Sequence, residues 1–335
     1  MEFKEVVETK YRELLHNYIN EMTETALYQG QKFSRQTLQQ QIPPEEIVSI
    51  HRKVLQELYP DIQNDVLNSL DFLLEVMIGY GLAYQEHQIL RDKQLEIKSE
   101  IEIAANVQQT LLETKIPVCD ALDIGAVSIP SKQMNGDYHH FVQDDKHISI
   151  ALADVIGKGI PAALCMSMIK YTMDSLPESR KDPGYVLENL NRVVEQNVDP
   201  SMFITMFYGM YDLHSHEFSY ASAGHEPGFY YCKEKDRFAD LDAKGLVLGV
   251  DQNVKYMQYD LKVEKGDMVV LLSDGVSESK SEEEFVERSH ITDMIRKYEH
   301  LPAQKIADTI YKEFLSMQDF QLRDDFTFII IRRNV

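Results

Sequence analysis

Four aspartates stand at the edges of apolar runs that read as strands: Asp137 in NGDYHHF, Asp154 in ALADVIGKG, Asp274 in VVLLSDGVSES and Asp324 in DDFTFIII. Strands that end in carboxylates beside glycine deliver several negative charges to one place, and such a cluster repels itself unless cations fill it. Hard oxygen ligands that retain waters suit magnesium or manganese. The chemistry implied is metal-dependent hydrolysis, in which a bound cation lowers the pKa of water toward neutrality. Thiol chemistry is not indicated. Cys165 is followed by no CxxxxxR arrangement, and Cys119, Cys165 and Cys232 are far apart and outside any CxxC pattern, as expected of reduced thiols in a cytosolic protein.

Taken singly, each acid has a duller explanation, because Asp-Gly is a routine turn after a strand and paired aspartates often sit on solvated loops. Four of them, each joined to a strand, point to a site where one would not. Around them lie weaker signals. The backbone of Gly157, Lys158 and Gly159 could offer amides to an anion at the start of a helix, with Lys158 near phosphate, although GxxxxGK[ST] is absent. His139 and His140 come directly after the acid of Gly-Asp-Tyr and read either as strand residues or as groups near a metal-bound water. His225 in AGHEP reads as a turn residue that contacts substrate or supports the site. Met166, Met168 and Met173 read as helix packing.

The elements that must position these groups fall into two blocks. From Met1 to about Tyr84 apolar residues recur at helical spacing, with Val6, Leu14, Tyr18 and Met22 on one face, and roughly four helices fit. Pro43-Pro44 followed by Glu45 and Glu46 starts one that runs to Leu58, and Asp65 to Tyr84 forms another. Between Ala83 and Leu112 proline and glycine are absent, and Leu90, Gln94, Ile97, Ile101, Ala104, Gln108 and Leu111 alternate by four and three. That spacing is a coiled-coil seam, or else the buried stripe of a single amphipathic helix. After Ile116-Pro117 the texture changes to β-rich runs, LDIGAVSIP, HISIALADV, SMFITMFYGMYD, EFSYASAGH, GFYYC, DMVVLLSDG and FTFIIIRR. Helical patterns over Pro161–Leu176 and Tyr185–Val198, and again over His290–Tyr298 and Ala303–Leu315, argue for a layered α+β fold.

Composition sets bounds on partners and place. At 335 residues, a catalytic domain with a smaller accessory domain is the natural expectation. The formal net charge of −21 disfavours attraction to nucleic acid or anionic lipid. The start, MEFKEVVETKYREL, lacks the apolar core of a signal peptide, and the apolar stretch Phe72–Tyr84 is interrupted by Glu75, Gly79 and Gly81, so no membrane anchor is expected and the reading is cytoplasmic.

Together ADVIGKGIPAA, SAGHEP, LLSDGVSES and DDFTFIII resemble the PPM (PP2C-like) metal-dependent serine/threonine phosphatases, in their bacterial stress-response branch, over about Leu122 to Arg333. The helical segment before it resembles the regulatory half of a sigma-B-activating member. The resemblance implies two antiparallel β-sheets packed face to face between helices, with a binuclear manganese or magnesium centre at one edge. It implies that Asp154 bridges the metals, that the carbonyl of Val155 is a ligand, and that Asp274 and Asp324 hold one metal while Asp137 binds or orients waters on the other. Gly136 stands where many relatives carry glutamate, and Asp325 stands where many carry asparagine, so either Asp324 or Asp325 is the direct ligand. It further implies a phosphoserine STAS-domain anti-sigma-factor antagonist as substrate and a kinase-like switch protein as activator, acting on residues 1–84, a dimerisation and partner-binding domain. A helical coiled-coil linker over 85–116 would join this to a phosphatase domain over 117–335. Two other classes stand beside this reading: a noncatalytic dimeric regulatory scaffold, and a nucleotide phosphodiesterase, which the acidic surface makes less attractive.

Overall fold

Pro44 and the acids behind it do what their chemistry allows. The proline occupies the first turn of a helix over Pro44–Leu58, and Glu45 and Glu46 complement its dipole. The structure, a computed structural model, describes residues 2–156, 159–175, 179–199, 202–278, 280–281, 284–318 and 320–335. It divides into two compact units, 1–98 and 99–335.

The first unit contains α1 (Glu2–Glu21), α2 (Glu24–Gln39), α3 (Pro44–Leu58) and the beginning of α4 (Asn64–Leu112). Thr23 caps α2 by accepting the Ala26 N–H at 3.3 Å. The core here is small, built on Val7, Phe33, Ile50 and Val54. Four helices begin before Tyr84, as the spacing implies, but the fourth does not stop there. It runs unbroken for 49 residues through Gly79, Gly81 and the whole seam. By length and composition alone, α4 is the one helix among the described residues that could cross a membrane.

The second unit is a four-layer sandwich. One sheet has the order β1-β12-β9-β6-β7 and the other β2-β3-β4-β5-β8, all neighbours antiparallel. The strands are β1 (Leu122–Ile129), β2 (Asp137–Gln143), β3 (His147–Val155), β4 (Ile204–Asp212), β5 (Glu217–Ala223), β6 (Phe229–Cys232), β7 (Arg237–Asp240), β8 (Tyr259–Lys262), β9 (Met268–Leu272) and β12 (Phe326–Arg333), with a two-residue pair, β10 (Lys280–Ser281) and β11 (Glu284–Phe285), apart from both sheets. The helices are α5 (Ile160–Asp174), α6 (Pro183–Asn197), a single turn α7 (Asp274–Ser277), α8 (Arg288–Tyr298) and α9 (Ala303–Met317). This is the α+β architecture the sequence implies.

Strand alternation distributes the apolar side chains among three cores. Along β3, Ile148, Ile150 and Leu152 face the other sheet, while Ala151, Ala153 and Val155 face α5 and α6. Along β12, Ile329 and Ile331 join the inter-sheet core, and Phe328 and Ile330 pack against α8 and α9. Because both faces of the central strands are covered, their sequences read as continuous apolar runs. The short strands β7 and β8 carry mixed RFAD and YDLK segments with no apolar run, and sequence pattern did not reveal them.

Candidate metal centre

The alternation that fills the inter-sheet core also sets where the acids point. Asp154 continues the face of Ile148, Ile150 and Leu152 one step past the apolar layer, and on β2 Asp137 shares the face of Phe141. The β2–β3 register sets Asp137 directly opposite Asp154, and the β3–β4 register sets Asp154 opposite Thr205. On the facing sheet, Thr327 and Asp325 continue the face of Ile329 and Ile331, and Ser273 continues that of Val269 and Leu271. One rim of the sandwich therefore collects polar groups from both sheets.

Asp137 is 4% exposed, and its Oδ2 is buried with no hydrogen-bond partner. Desolvation pushes its carboxyl well above the usual carboxylate range, the negative charges of Asp154 and Asp325 add to this, and hydrogen bonding from Thr327 and Ser273 opposes it. The preceding loop is tied down by its own polar groups. Asn135 Oδ1 accepts the Asp137 N–H at 3.0 Å, and Asn135 Nδ2 donates to the Ser128 hydroxyl at 3.0 Å, which lies 2.9 Å from that of Thr327. Asp325 accepts three bonds: the Ser131 N–H (2.7 Å) and hydroxyl (2.9 Å) on Oδ1, and the Gly136 N–H (2.6 Å) on Oδ2. The Val155 N–H donates to the Gly136 carbonyl at 3.1 Å. Gly136 is tightly enclosed, since a Cβ there would lie 2.9 Å from Asp325 Oδ2 and 3.5 Å from Asp154 Oδ1.

The other two acids occupy more open ground. Asp274 opens the single turn α7 and is partly exposed. Burial raises its pKa, with the charges of Asp324 and Glu278 adding to the effect. Asp324 is exposed, and the two line a cavity of about 180 Å³ with Gly275, Glu278, Gln318 and Arg323. The glycine of Ser-Asp-Gly has a steric reason here, because a Cβ on Gly275 would sit 2.0 Å from the Asp325 carbonyl oxygen. Ser273, fully buried, donates from its hydroxyl to that same carbonyl at 3.2 Å and accepts the Thr327 N–H at 3.0 Å, so α7 and the start of β12 are locked together.

The histidines separate by strand face. His139 shares the Asp137 face of β2, and burial followed by the neighbouring His140 pushes its pKa down to about 4. His140 turns to the helix side, where Nε2 lies 3.1 Å from Asp174 Oδ1. His225 does not fit a substrate contact. It is buried, Nδ1 is 2.9 Å from the Thr205 hydroxyl, and desolvation lowers its pKa to about 4. Its Nε2 is turned toward the Leu272 backbone without completing a hydrogen bond of ordinary geometry. Gly157 and Lys158 lie outside the described residues; Gly159 precedes α5 with φ of 88°. Met166 and Met173 are buried in the core beneath α5, with Met168 packed against it. Thr205, Ser131, Ser273, Thr327 and Asn135 carried no motif of their own; Thr205 is marked by its register opposite Asp154, and the others by their hydrogen bonds around the acids.

Among the described residues, no three His, Cys, Asp or Glu side chains converge as a ready-made metal cage. The acids instead form a buried group around Asp137 and an open group around Asp274. The donor set nonetheless fits hard divalent cations: it is all oxygen, and the partnerless Asp137 Oδ2 beside two more carboxylates is electrostatically unfavourable without a positive charge.

A family model described as Stage II sporulation protein E (SpoIIE) matches residues 144–334, and another, Phosphoserine phosphatase RsbU, N-terminal domain, matches residues 9–83. The chain is 64% identical over 335 residues to the phosphoserine phosphatase RsbU of Bacillus subtilis (strain 168), covering 100% of both. It belongs to the RsbU family of phosphoserine phosphatases. As a member of that family it is a protein-serine/threonine phosphatase of the PPM type, a phosphoric monoester hydrolase. Solved structures bear out the fold. The SiaA PP2C domain of Pseudomonas aeruginosa matches with a TM-score of 0.62 at 17% identity, over 72% of this chain and 99% of that one. The catalytic domain of the serine/threonine phosphatase PstP, solved in complex with two manganese ions, matches with a TM-score of 0.51 at 14% identity, over 64% of this chain and 99% of that one.

Proposed function

We propose that this RsbU-family phosphatase removes phosphate from the serine of a STAS-domain anti-sigma-factor antagonist, an RsbV-like protein, using a pair of manganese or magnesium ions held on the rim between the sheets. The observation that carries the reading is the Asp137–Asp154 register pair with the partnerless oxygen of Asp137 buried beside it. Asp154, the Val155 carbonyl, Asp137, Asp274 and Asp324 are the groups that would hold the cations. Asp325, whose carboxylate already accepts three hydrogen bonds, holds the loop before Asp137, and Asp324 beside the open cavity is the better direct ligand. When bound, such cations supply charge neutralisation for the phosphoryl oxygens and a water acidic enough to act at neutral pH.

The chain's own residues keep this rim in order. Thr205, braced by His225, stands beside Asp154 in the sheet, and Ser273 and Thr327 fix the chain on either side of Asp325. The open cavity beside Asp274 leaves room for a phosphoserine side chain to reach the cations.

Residues 1–84 act as the dimerisation and partner-binding domain, 85–116 as a helical coiled-coil linker and 117–335 as the phosphatase domain of a cytoplasmic homodimer. Support comes from the seam, in which Leu90, Ile97, Ile101 and Leu111 are all exposed along one continuous helix. A kinase-like, RsbT-like partner would bind the amino-terminal part, rigidify the linker and switch on dephosphorylation, which frees sigma-B. The test is phosphate release from the serine-phosphorylated STAS protein in manganese, with and without the partner. Stimulation by the partner, abolished by Ile101→Pro, is expected. Equal release in all four combinations would refute the regulatory part, and release from cyclic nucleotides but not phosphoserine would refute the substrate.

A further inference from the structure

Of the seven seam positions, Gln108 behaves unlike its neighbours. Ile97, Ile101 and Leu111 are 55%, 36% and 51% exposed, whereas Gln108 is 5% exposed. A buried primary amide must find partners for a donor and an acceptor. Gln108 finds both on one residue: Oε1 accepts the Asn135 N–H at 3.0 Å and Nε2 donates to the Asn135 carbonyl at 2.8 Å, with Met166 Sδ 3.4 Å from the same nitrogen. The side chain pairs with the backbone of Asn135 as a neighbouring strand would.

Asn135 and the residue after it connect this pairing to the acids. Asn135 Oδ1 holds the Asp137 N–H, the Gly136 N–H holds Asp325, and the Gly136 carbonyl holds the Val155 N–H. We propose that Gln108 is a positioning residue that keys the end of α4 to the loop carrying Gly136 and Asp137, so that cation affinity at the rim depends on the helical order of residues 99–112. The helix end is also held from α5, where Lys170 Nζ donates to the carbonyls of Leu111 (2.6 Å) and Glu113 (3.2 Å). Linkage is reciprocal: whatever straightens this helix end tightens cation binding, and bound cations order the helix end by the same factor.

This rests on the reading of the rim as the cation site, so the experiment separates the two claims. In the full-length chain, manganese affinity is measured by electron paramagnetic resonance for the unaltered protein, Gln108→Leu, Gln108→Glu and Asp137→Asn. Amide hydrogen exchange at Asn135–Asp137 is monitored in the metal-free state. Gln108→Leu is expected to weaken manganese binding roughly 10- to 100-fold, in the range typical for residues that orient ligands, and to speed exchange at these amides. At saturating manganese its KM for phosphoprotein stays unchanged. Gln108→Glu keeps the acceptor for the Asn135 N–H and falls between the two, which provides the test should the leucine variant not fold. Loss of affinity in Asp137→Asn with unaltered affinity and exchange in both Gln108 variants would overturn the proposal alone. Unaltered affinity in Asp137→Asn would overturn the reading of the rim itself.

Discussion

The candidate centre has two halves built on different physical terms. Around Asp137 the carboxylates are buried, and a loop has been tied by Asn135, Ser131 and Gly136 into one arrangement. Around Asp274 and Asp324 the acids border open space, on a single helical turn and the residue before a strand. Burial preorganises the first half and makes its charge costly. Openness leaves the second half accessible to a protein-borne phosphoserine. The difference teaches that the same residue type does two jobs here, and that identical substitutions should have different consequences on the two sides.

The largest effect is on turnover. Asp154→Asn and Asp274→Asn should each lower manganese-dependent phosphate release about 1,000-fold or more, equivalent to several kcal/mol of lost transition-state stabilisation. Retained circular dichroism would attribute the loss to the site. A surviving rate within tenfold of the unaltered protein would remove that acid from the centre.

Next comes pH. His225 has its pKa lowered to about 4 by complete burial, so the folded protein favours the neutral ring, while the unfolded chain takes up a proton near pH 6.5. The contribution of His225 to stability is therefore full above about pH 6.5 and is lost as pH falls to about 4, amounting to about 3 kcal/mol over that window. Thermal unfolding of the metal-free protein should fall more steeply over this range than that of His225→Gln, and parallel curves would contradict it.

A smaller effect divides the two halves directly. Asp137→Asn removes a desolvated charge and should stabilise the metal-free protein at pH 7.5 by about 1 to 2 kcal/mol, whereas Asp274→Asn, at a partly exposed acid, should stabilise it in the same sense but by less. Urea unfolding in the presence of a chelator measures both, and equal shifts would erase the distinction. On metal binding itself, Gly136→Ala crowds Asp325 Oδ2 and should raise half-saturating manganese about tenfold. An unchanged metal requirement would mean that the Asp325 carboxylate yields freely.

The acids could be singled out in the sequence because each borders an apolar run, and alternation then determines the face. The sandwich was legible for a related reason, since buried strands with two covered faces leave long runs such as MFYGM and FTFIIIRR. What stayed hidden depends on pairing between distant segments. Nothing local in ITMFYG marks Thr205 as the residue opposite Asp154, and nothing in AGHEP tells that His225 turns inward. Gln108 reads as a defect in a heptad until Asn135 is beside it. The continuity of α4 was obscured by Gly79 and Gly81, which suggest a break that the helix tolerates.

The central claim, that this rim holds the cations that hydrolyse phosphoserine, is tested most directly by anomalous diffraction from crystals of the protein grown in manganese. The account predicts two peaks on the rim between the sheets, one beside Asp137 and Asp154 and one shared by Asp154, Asp274 and Asp324. Peaks confined to other acids, or none at the rim in a protein that is active under the same conditions, would contradict it.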